Sequence, residues 1–452
     1  MKNGRVDMLT GSIAKGLLAM AIPIIIMNVM QTLFNIVDMT LLGRFADDTA
    51  VGAVGSCGIL ITLCNSLMVG ISMGANVIVA RHLGSGDAEK TEKAMGTAIA
   101  FSVTGGMLLL VIGISCAEIF LRWINCPESI LSEAALYFRI YFAGAPVLFL
   151  YSFAGAIIRA MGEARRQMTY SLIGGGLKVL LNLFFVTVFK MRVEGVAVAT
   201  IISNAVSGVL CLAVIFKSKD RVNLTIKKIR IHLDELKSIL YIGVPVGVQS
   251  SLYSLANAVI AAAVNSFGPD ATTGISIANQ FDGLLYQIIH SPSLAVMPYV
   301  AQNAGAKQVD RVKQVFGKGV LITVIMGASL GMLSAIFSKQ LSSIMSSTPE
   351  VIAYSQQKMI IISSTYFICG INEVLGGVLK GMGKPFLPTI ATLIYMCVFR
   401  FVWVYLIFPL CPNLTFLYLV WPIGWILSIV TLFVPYRNIM KKFEREVKAE
   451  GV

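Results

Sequence analysis

The sequence predicts an all-α, polytopic membrane protein of twelve transmembrane helices arranged as two parallel six-helix repeats. Three observations carry this prediction: an apolar composition, twelve apolar runs of membrane-crossing length, and landmarks that recur half a chain apart. Of 452 residues, 56% are hydrophobic and 13% charged, against about 45–50% and about 25% in soluble domains. Mean hydropathy is +0.80. A chain this apolar cannot cover a soluble core with polar surface. That excludes a disordered chain, a nucleic-acid-binding domain and an ordinary cytosolic enzyme. The net charge of +13, from 36 Lys+Arg against 23 Asp+Glu, would suggest nucleic acid in a soluble protein. In a membrane protein it reads as basic residues gathered in cytoplasmic loops, so no nucleic-acid partner is expected.

A spanning helix needs roughly 20 apolar residues. In chain order the runs are 16–37, 51–80, 94–117, 140–158, 167–190 (interrupted by Lys178) and 195–216. A basic linker, 217–237, follows. The second set is 238–267, 272–302 (with Asp282 and His290), 319–338, 359–379 (with Glu373), 385–409 (with Arg400) and 414–435. Backbone groups in lipid must be satisfied within the segment or in a closed barrel. Barrel strands would be about 10 residues with strict alternation, which these runs lack, so they are read as helices. Pro23, Pro146, Pro245 and Pro292 are expected to kink theirs. The first fifteen residues are polar and the run after them is too long for a signal h-region, so no cleavable signal is expected. The division expected is an N-terminal lobe 1–216, a cytoplasmic linker 217–237, and a C-terminal lobe 238–452 ending in a cytoplasmic tail.

Lys and Arg set the orientation. Alternate loops and both tails place 27 on one side and seven on the other (Arg44, Arg122, Arg139, Lys190, Arg192, Lys339 and Lys358), with Lys178 and Arg400 left inside the membrane. The rule that positive loops stay inside puts both termini in the cytoplasm of a plasma membrane.

The repeat is legible as words. VARHLG (79–84) recurs as VAQNAG (300–305) and GAIIRAMG (155–162) as GGVLKGMG (376–383), both at an offset of 221. CPE (126–128) recurs as TPE (348–350), and Pro23, Phe45 and Gly52 as Pro245, Phe267 and Gly274, at 222. Six helices per half is an even number, so both halves enter from the same side. Parallel repeats place substrate between the halves, which rock to give alternating access.

Polar residues inside the membrane mark function by default. Asn28, Gln31, Asn35 and Asp38 are spaced 3, 4 and 3, which puts them on one helix face. Their partners at offset 222 are Ser250, Tyr253, Asn257 and Ile260, so Asp38 has no acidic twin. Lys178 and Arg400 sit at matching depths of the two halves. A mid-membrane cation needs a partner or water. The expected pairs are Lys178 with Asp38, and Arg400 with Glu373 or Asp282. No GxxxxGK[ST], HExxH or Ser-His-Asp arrangement appears, so neither ATP drive nor enzymatic catalysis is expected. The eight cysteines form no CxxC and the three histidines are scattered, so no disulfide framework, metal site or cofactor is expected.

Together NIVDMTLLGRF (35–45), ANVIVARHLGSGD (75–87), AIIRAMGEARRQM (156–168), VEGVAVAT (193–200), GVPVGVQSSL (243–252) and LKGMGKP (379–385) resemble the multidrug and toxic compound extrusion (MATE) family over nearly the whole chain. The resemblance implies two six-helix lobes in a V. It implies export of organic, often cationic, amphiphiles against inward flow of H⁺ or Na⁺, by a monomer among membrane lipids. Many bacterial members carry an acid where Asp38 stands, so Asp38 inherits the coupling role. They often pair it with an Asn and an Asp on the fifth helix, where this chain has Lys178 and Asn182. Another branch places a Glu on the seventh helix at the position of Tyr253. Some use acids near Asp282 and Glu373. A Na⁺ site wants oxygen ligands, and Lys178 brings a cation instead, which favours protons. The expected ion-coupling set is Asp38, Asn35, Lys178 and Asn182. The expected substrate cavity draws on Asn28, Gln31, Gln249, Tyr253, Asn257, Asp282, Glu373 and Arg400. The alternatives are a lipid-linked oligosaccharide flippase of the same superfamily and a non-transport membrane enzyme or receptor.

Overall fold

The computed structural model describes residues 5–45, 48–218 and 224–450, all of whose regular structure is helical. The first half holds α1 (Ile13–Phe45), α2 (Asp48–Ser85), α3 (Ala88–Trp123), α4 (Glu128–Ala143), α5 (Ala145–Ala160), α6 (Ala164–Thr187) and α7 (Val193–Lys217). A 3₁₀ turn, Ile226–Lys228, lies in the linker. The second half holds α8 (Leu233–Asn265), α9 (Pro269–Gly305), α10 (Val309–Ile336), the short α11 (Ser338–Ser343), α12 (Pro349–Ser364) and α13 (Tyr366–Gly381). It ends with α14 (Phe386–Thr392), α15 (Phe399–Val402), α16 (Leu414–Tyr418) and α17 (Val420–Ala449). Asp87 caps α3 by accepting the Lys90 N–H, and this bond holds its carboxyl below the usual range.

Two spans are broken rather than straight. α4 and α5 meet at Gly144 with a bend of 49°, and α12 and α13 meet at Thr365 with a bend of 47°. The two breaks are 221 residues apart, so the repeat seen in words is also a repeat of shape. Pro146 lies just beyond the first break, as a kinking proline should. Pro23, Pro245 and Pro292 lie inside helices that run on without interruption. The eleventh span is irregular: π-helical stretches at Leu393–Val398 and Trp403–Ile407 flank α15.

Among the described residues, eight helical stretches are long and apolar enough to cross a membrane, and the two bent pairs make ten. α8 and α9, of 33 and 37 residues, complete twelve rods. Large apolar side chains such as Leu108, Leu180, Val209, Leu321 and Val430 are exposed, as lipid-facing positions must be.

The helices group into two compact units. One comprises Ile26–Gly247 with Arg5 and Val6, and the other comprises Asp7–Ile25 and Val248–Val452. Thus α1 changes unit at 25/26 and α8 at 247/248, again 222 residues apart, each just after a proline. The first stretch of α8 is held on α2 by glycines. A Cβ at Gly70 would lie 2.2 Å from the Gly247 backbone, one at Gly74 2.1 Å from the Ile239 carbonyl, and one at Gly243 2.5 Å from Ile71 Cα. Small residues four apart on both helices let the backbones touch, which is how helices associate in lipid. His82 and Glu235 add a contact at 3.1 Å. In the other unit the chain start is held by polar bonds instead. Asn303 Nδ2 and Arg311 Nη2 donate to the Met8 carbonyl at 3.0 and 3.1 Å, and Arg311 Nη2 also donates to the Gly11 carbonyl at 2.9 Å. There α9 packs on α10, α12 and α13, around Ile289, Tyr366, Tyr418 and Trp425.

Candidate functional site

In the unit of Ile26–Gly247, the polar stripe of α1 meets α6. Two adjacent glycines on α6 bring its neighbours close. Gly174 faces α7, where a Cβ would lie 2.0 Å from Ser207 Oγ, and Gly175 faces α1, where a Cβ would lie 1.8 Å from the Phe34 ring. With the helices this close, Lys178 Nζ reaches Asp38 Oδ2 at 2.5 Å. Asn182, one turn further along the same face of α6, donates from Nδ2 to Asp38 Oδ1. Asp38 is 6% exposed and Asn182 fully buried. Both carboxylate oxygens are therefore occupied, one by an ammonium and one by an amide. A carboxylate buried in mid-membrane is tolerated only when paired in this way. Asn35 and Gln31 are exposed and Asn28 half-buried, so the stripe runs from open surface down to the ion pair. The expected set of Asp38, Lys178 and Asn182 is brought together; Asn35 stays one turn outside it.

The unit holding Val248–Val452 contains a different arrangement. The expected pairing of Arg400 with Glu373 or Asp282 does not occur. Asp282 takes Lys358 (2.9 Å), and Glu373 faces His290 (3.5 Å) and Tyr286 (Oη–Oε1 3.4 Å). Both acids lie closer to these partners because α9 packs along α12 and α13. Arg400, fully buried on α15, donates from Nη1 to Asn257 Oδ1 at 2.6 Å. Its guanidinium lies over the rings of Tyr253 (5.3 Å) and Trp421 (5.1 Å). Cation–π contact of this kind stabilises by about 2 kcal/mol when desolvated. Among the described residues no carboxylate pairs with it. Tyr253 stacks on Tyr286 (5.7 Å) and Tyr286 on His290 (5.4 Å). A ladder of rings therefore joins the Glu373–His290 contact to Arg400. Gln249 lies apart, donating to Thr392 Oγ1 at 2.7 Å.

Lys358 corrects a further expectation. Counted above with the outer loops, it is 3% exposed, ion-paired to Asp282, hydrogen-bonded to Asn279 and over the Trp421 ring at 5.8 Å. The less basic set of loops then keeps six basic residues rather than seven. The missed signal was Pro349, a helix-starting residue: it begins α12 nine positions before Lys358 and so carries that lysine inside the span.

Helices throughout, two repeated units and buried ion pairs at membrane depth define an internally duplicated membrane transporter. The family model described as MatE matches the chain twice, over residues 23–184 and 245–406, at the same offset of 222 that the landmarks show. The chain belongs to this family, the multidrug and toxic compound extrusion transporters. It is similar to the probable multidrug resistance protein YoeA of Bacillus subtilis, 26% identical over 82% of each chain. It is also similar to the probable multidrug resistance protein NorM of Thermotoga maritima, 25% identical over 84% of this chain and 83% of that one. Among solved structures, the outward-facing conformation of a multidrug resistance MATE family transporter superposes with a TM-score of 0.90 over 98% of this chain and 99% of that one, at 19% identity. That likeness concerns the fold.

Proposed function

We propose that the protein exports organic, cationic amphiphilic compounds in exchange for protons, by alternating access, from a plasma membrane with both termini in the cytoplasm. One observation carries the choice of ion: both oxygens of Asp38 are occupied, by Lys178 and Asn182. Sodium needs several oxygen ligands and net negative charge, and the Lys178 ammonium supplies neither. A proton needs only the carboxylate. Protonating Asp38 would release Lys178, so the partners of α6 would change with each proton taken up. The carboxylate at the end of the partly open α1 stripe supports a cargo bearing positive charge. The names of YoeA and NorM support the multidrug class. The test is reconstitution in liposomes with a fluorescent organic cation, imposing a pH gradient or a Na⁺ gradient separately. Movement driven by the pH gradient alone, and abolished in Asp38→Asn, is the expected result. Movement driven by Na⁺ would overturn the choice of ion, and movement under neither gradient would overturn the exporter of organic cations.

A further inference from the structure

The two halves keep a cation at the same place and treat it in opposite ways. Lys178 and Arg400 are 222 residues apart, as are Asp38 and Ile260, and Asn182 and Val404. In the first unit the cation has its carboxylate. In the second, the carboxylate's position is Ile260, 3% exposed in an apolar cluster, and the cation leans on Asn257, the counterpart of Asn35. We propose that Arg400, with Asn257, Tyr253 and Trp421, is a docking site for the carboxylate of a zwitterionic aromatic substrate. This rests on the reading of the chain as an exporter of cationic amphiphiles and narrows that class to those that also bear an acid.

Four features support the assignment. Asp282 is ion-paired to Lys358, and Glu373 faces His290 and Tyr286, so among the described residues no carboxylate meets the guanidinium. A buried, uncompensated cation is costly, and an amide and two ring faces offset that cost only in part. Its Nε is buried without a hydrogen-bond partner among the described residues, and a carboxylate is the group that fits a guanidinium fork with two parallel bonds. The backbone is also unusual here. π stretches lie on both sides of α15, whereas α6, which carries the counterpart Lys178, is a regular helix. π turns re-aim side chains and concentrate at functional sites. Finally, the site is within reach: Asn257 is exposed, so Arg400 lies one side chain beneath the surface of its unit, with an exchangeable amide as its cover. The Tyr253 ring already carries Tyr286 and the guanidinium, so what this half-buried residue offers the aromatic body of the same molecule is its edge.

The test uses the full-length protein in phosphatidylcholine nanodiscs and two probes that differ in one group: an unesterified rhodamine carboxylate, which is a zwitterion, and its methyl ester, which is a cation. Anisotropy should show the acid bound about tenfold tighter than the ester by the wild type, the difference a charge-assisted fork makes. Arg400→Gln should erase that margin and leave ester affinity within about threefold. Asn257→Asp should erase it too, because it hands Arg400 the internal carboxylate that Lys178 already has. That variant keeps the arginine satisfied, so loss of folding is not its expected outcome. An equal loss of both dyes in Arg400→Gln, or an unchanged margin in Asn257→Asp, would show a structural brace and overturn the proposal. Wild type that binds the ester but does not prefer the acid would overturn it while leaving the exporter reading intact. Binding of neither dye would overturn both. A margin competed away by phosphatidylglycerol would assign the site to lipid headgroups and overturn it as a substrate site.

Discussion

Asp38 and Lys178 form a pair whose halves cannot be removed singly without cost. Deleting one partner of a buried ion pair leaves an uncompensated charge, worth about 3–5 kcal/mol. Lys178→Gln should therefore lower the melting temperature of the purified protein more than Asp38→Asn/Lys178→Gln, which removes both charges. The double variant should fold and still fail to move substrate under a pH gradient, which separates stability from coupling. The Asp282–Lys358 pair poses the same question with the opposite expectation. It is 12% and 4% exposed at the side chains and lies under Trp421 and Tyr418, so we expect a static lock between α9 and α12. Asp282→Asn/Lys358→Gln should retain gradient-driven flux, measured in the same vesicles, at nearly the wild-type rate; abolished flux would move this pair into the transport mechanism. Of these contacts, the first was legible in the sequence. Asp38 ends a one-face stripe, and Lys178 has no other acid at its depth in that half. The partner of Arg400 was not legible. Repeat offsets fix how deep a side chain sits, but Lys358, read as an outer-loop residue, had taken Asp282, and aromatic neighbours leave no charge signature to count.

At the scale of the helices, the α2–α8 crossing is the feature most sensitive to a single atom. Gly74→Ala places a Cβ on the Ile239 carbonyl and Gly243→Ala places one on Ile71 Cα. Neither obstacle is a flexible side chain, so each should cost about 1–3 kcal/mol or more. Gly58→Ala, on α2 with open space around it, should instead raise stability by up to about 1 kcal/mol, and the comparison of the three melting temperatures checks the claim. The glycine pairs at 70/74 and 243/247 became meaningful only in the structure. Nothing in the sequence said that they face one another, because in lipid any small stripe can receive any other. The bends at Gly144 and Thr365 were half-visible. Pro146 marks the first, while the second has no proline and is known from shape alone. The π stretches around α15 left no trace in an apolar run that reads as one continuous helix.

For the whole molecule, twelve spans, two repeats and the family followed from run lengths, offsets and motifs, since lipid permits few other ways to satisfy a backbone. The proposed orientation has a direct check already present in the chain. Cys411, an exposed free cysteine, follows the eleventh span and should face outward. An impermeant maleimide should label intact cells through it and not label Cys411→Ser; labelling only after lysis would reverse the topology. What run lengths could not reveal is where the compact units begin and end. Each first helix crosses from one unit to the other just past its proline, so a cut in the linker separates two fragments that each lack a piece of core. Fragments 1–222 and 223–452 should be degraded when made alone and recovered as a stable complex when made together, read by co-purification from membranes. The same exchange bears on descent. A single-repeat ancestor built to this plan would have been complete only as a homodimer, each copy lending its opening half-helix to the other. Fusion of the two genes would have turned an obligate partnership into one chain, leaving each copy free to diverge, so that one now holds an acid beside its cation and the other does not.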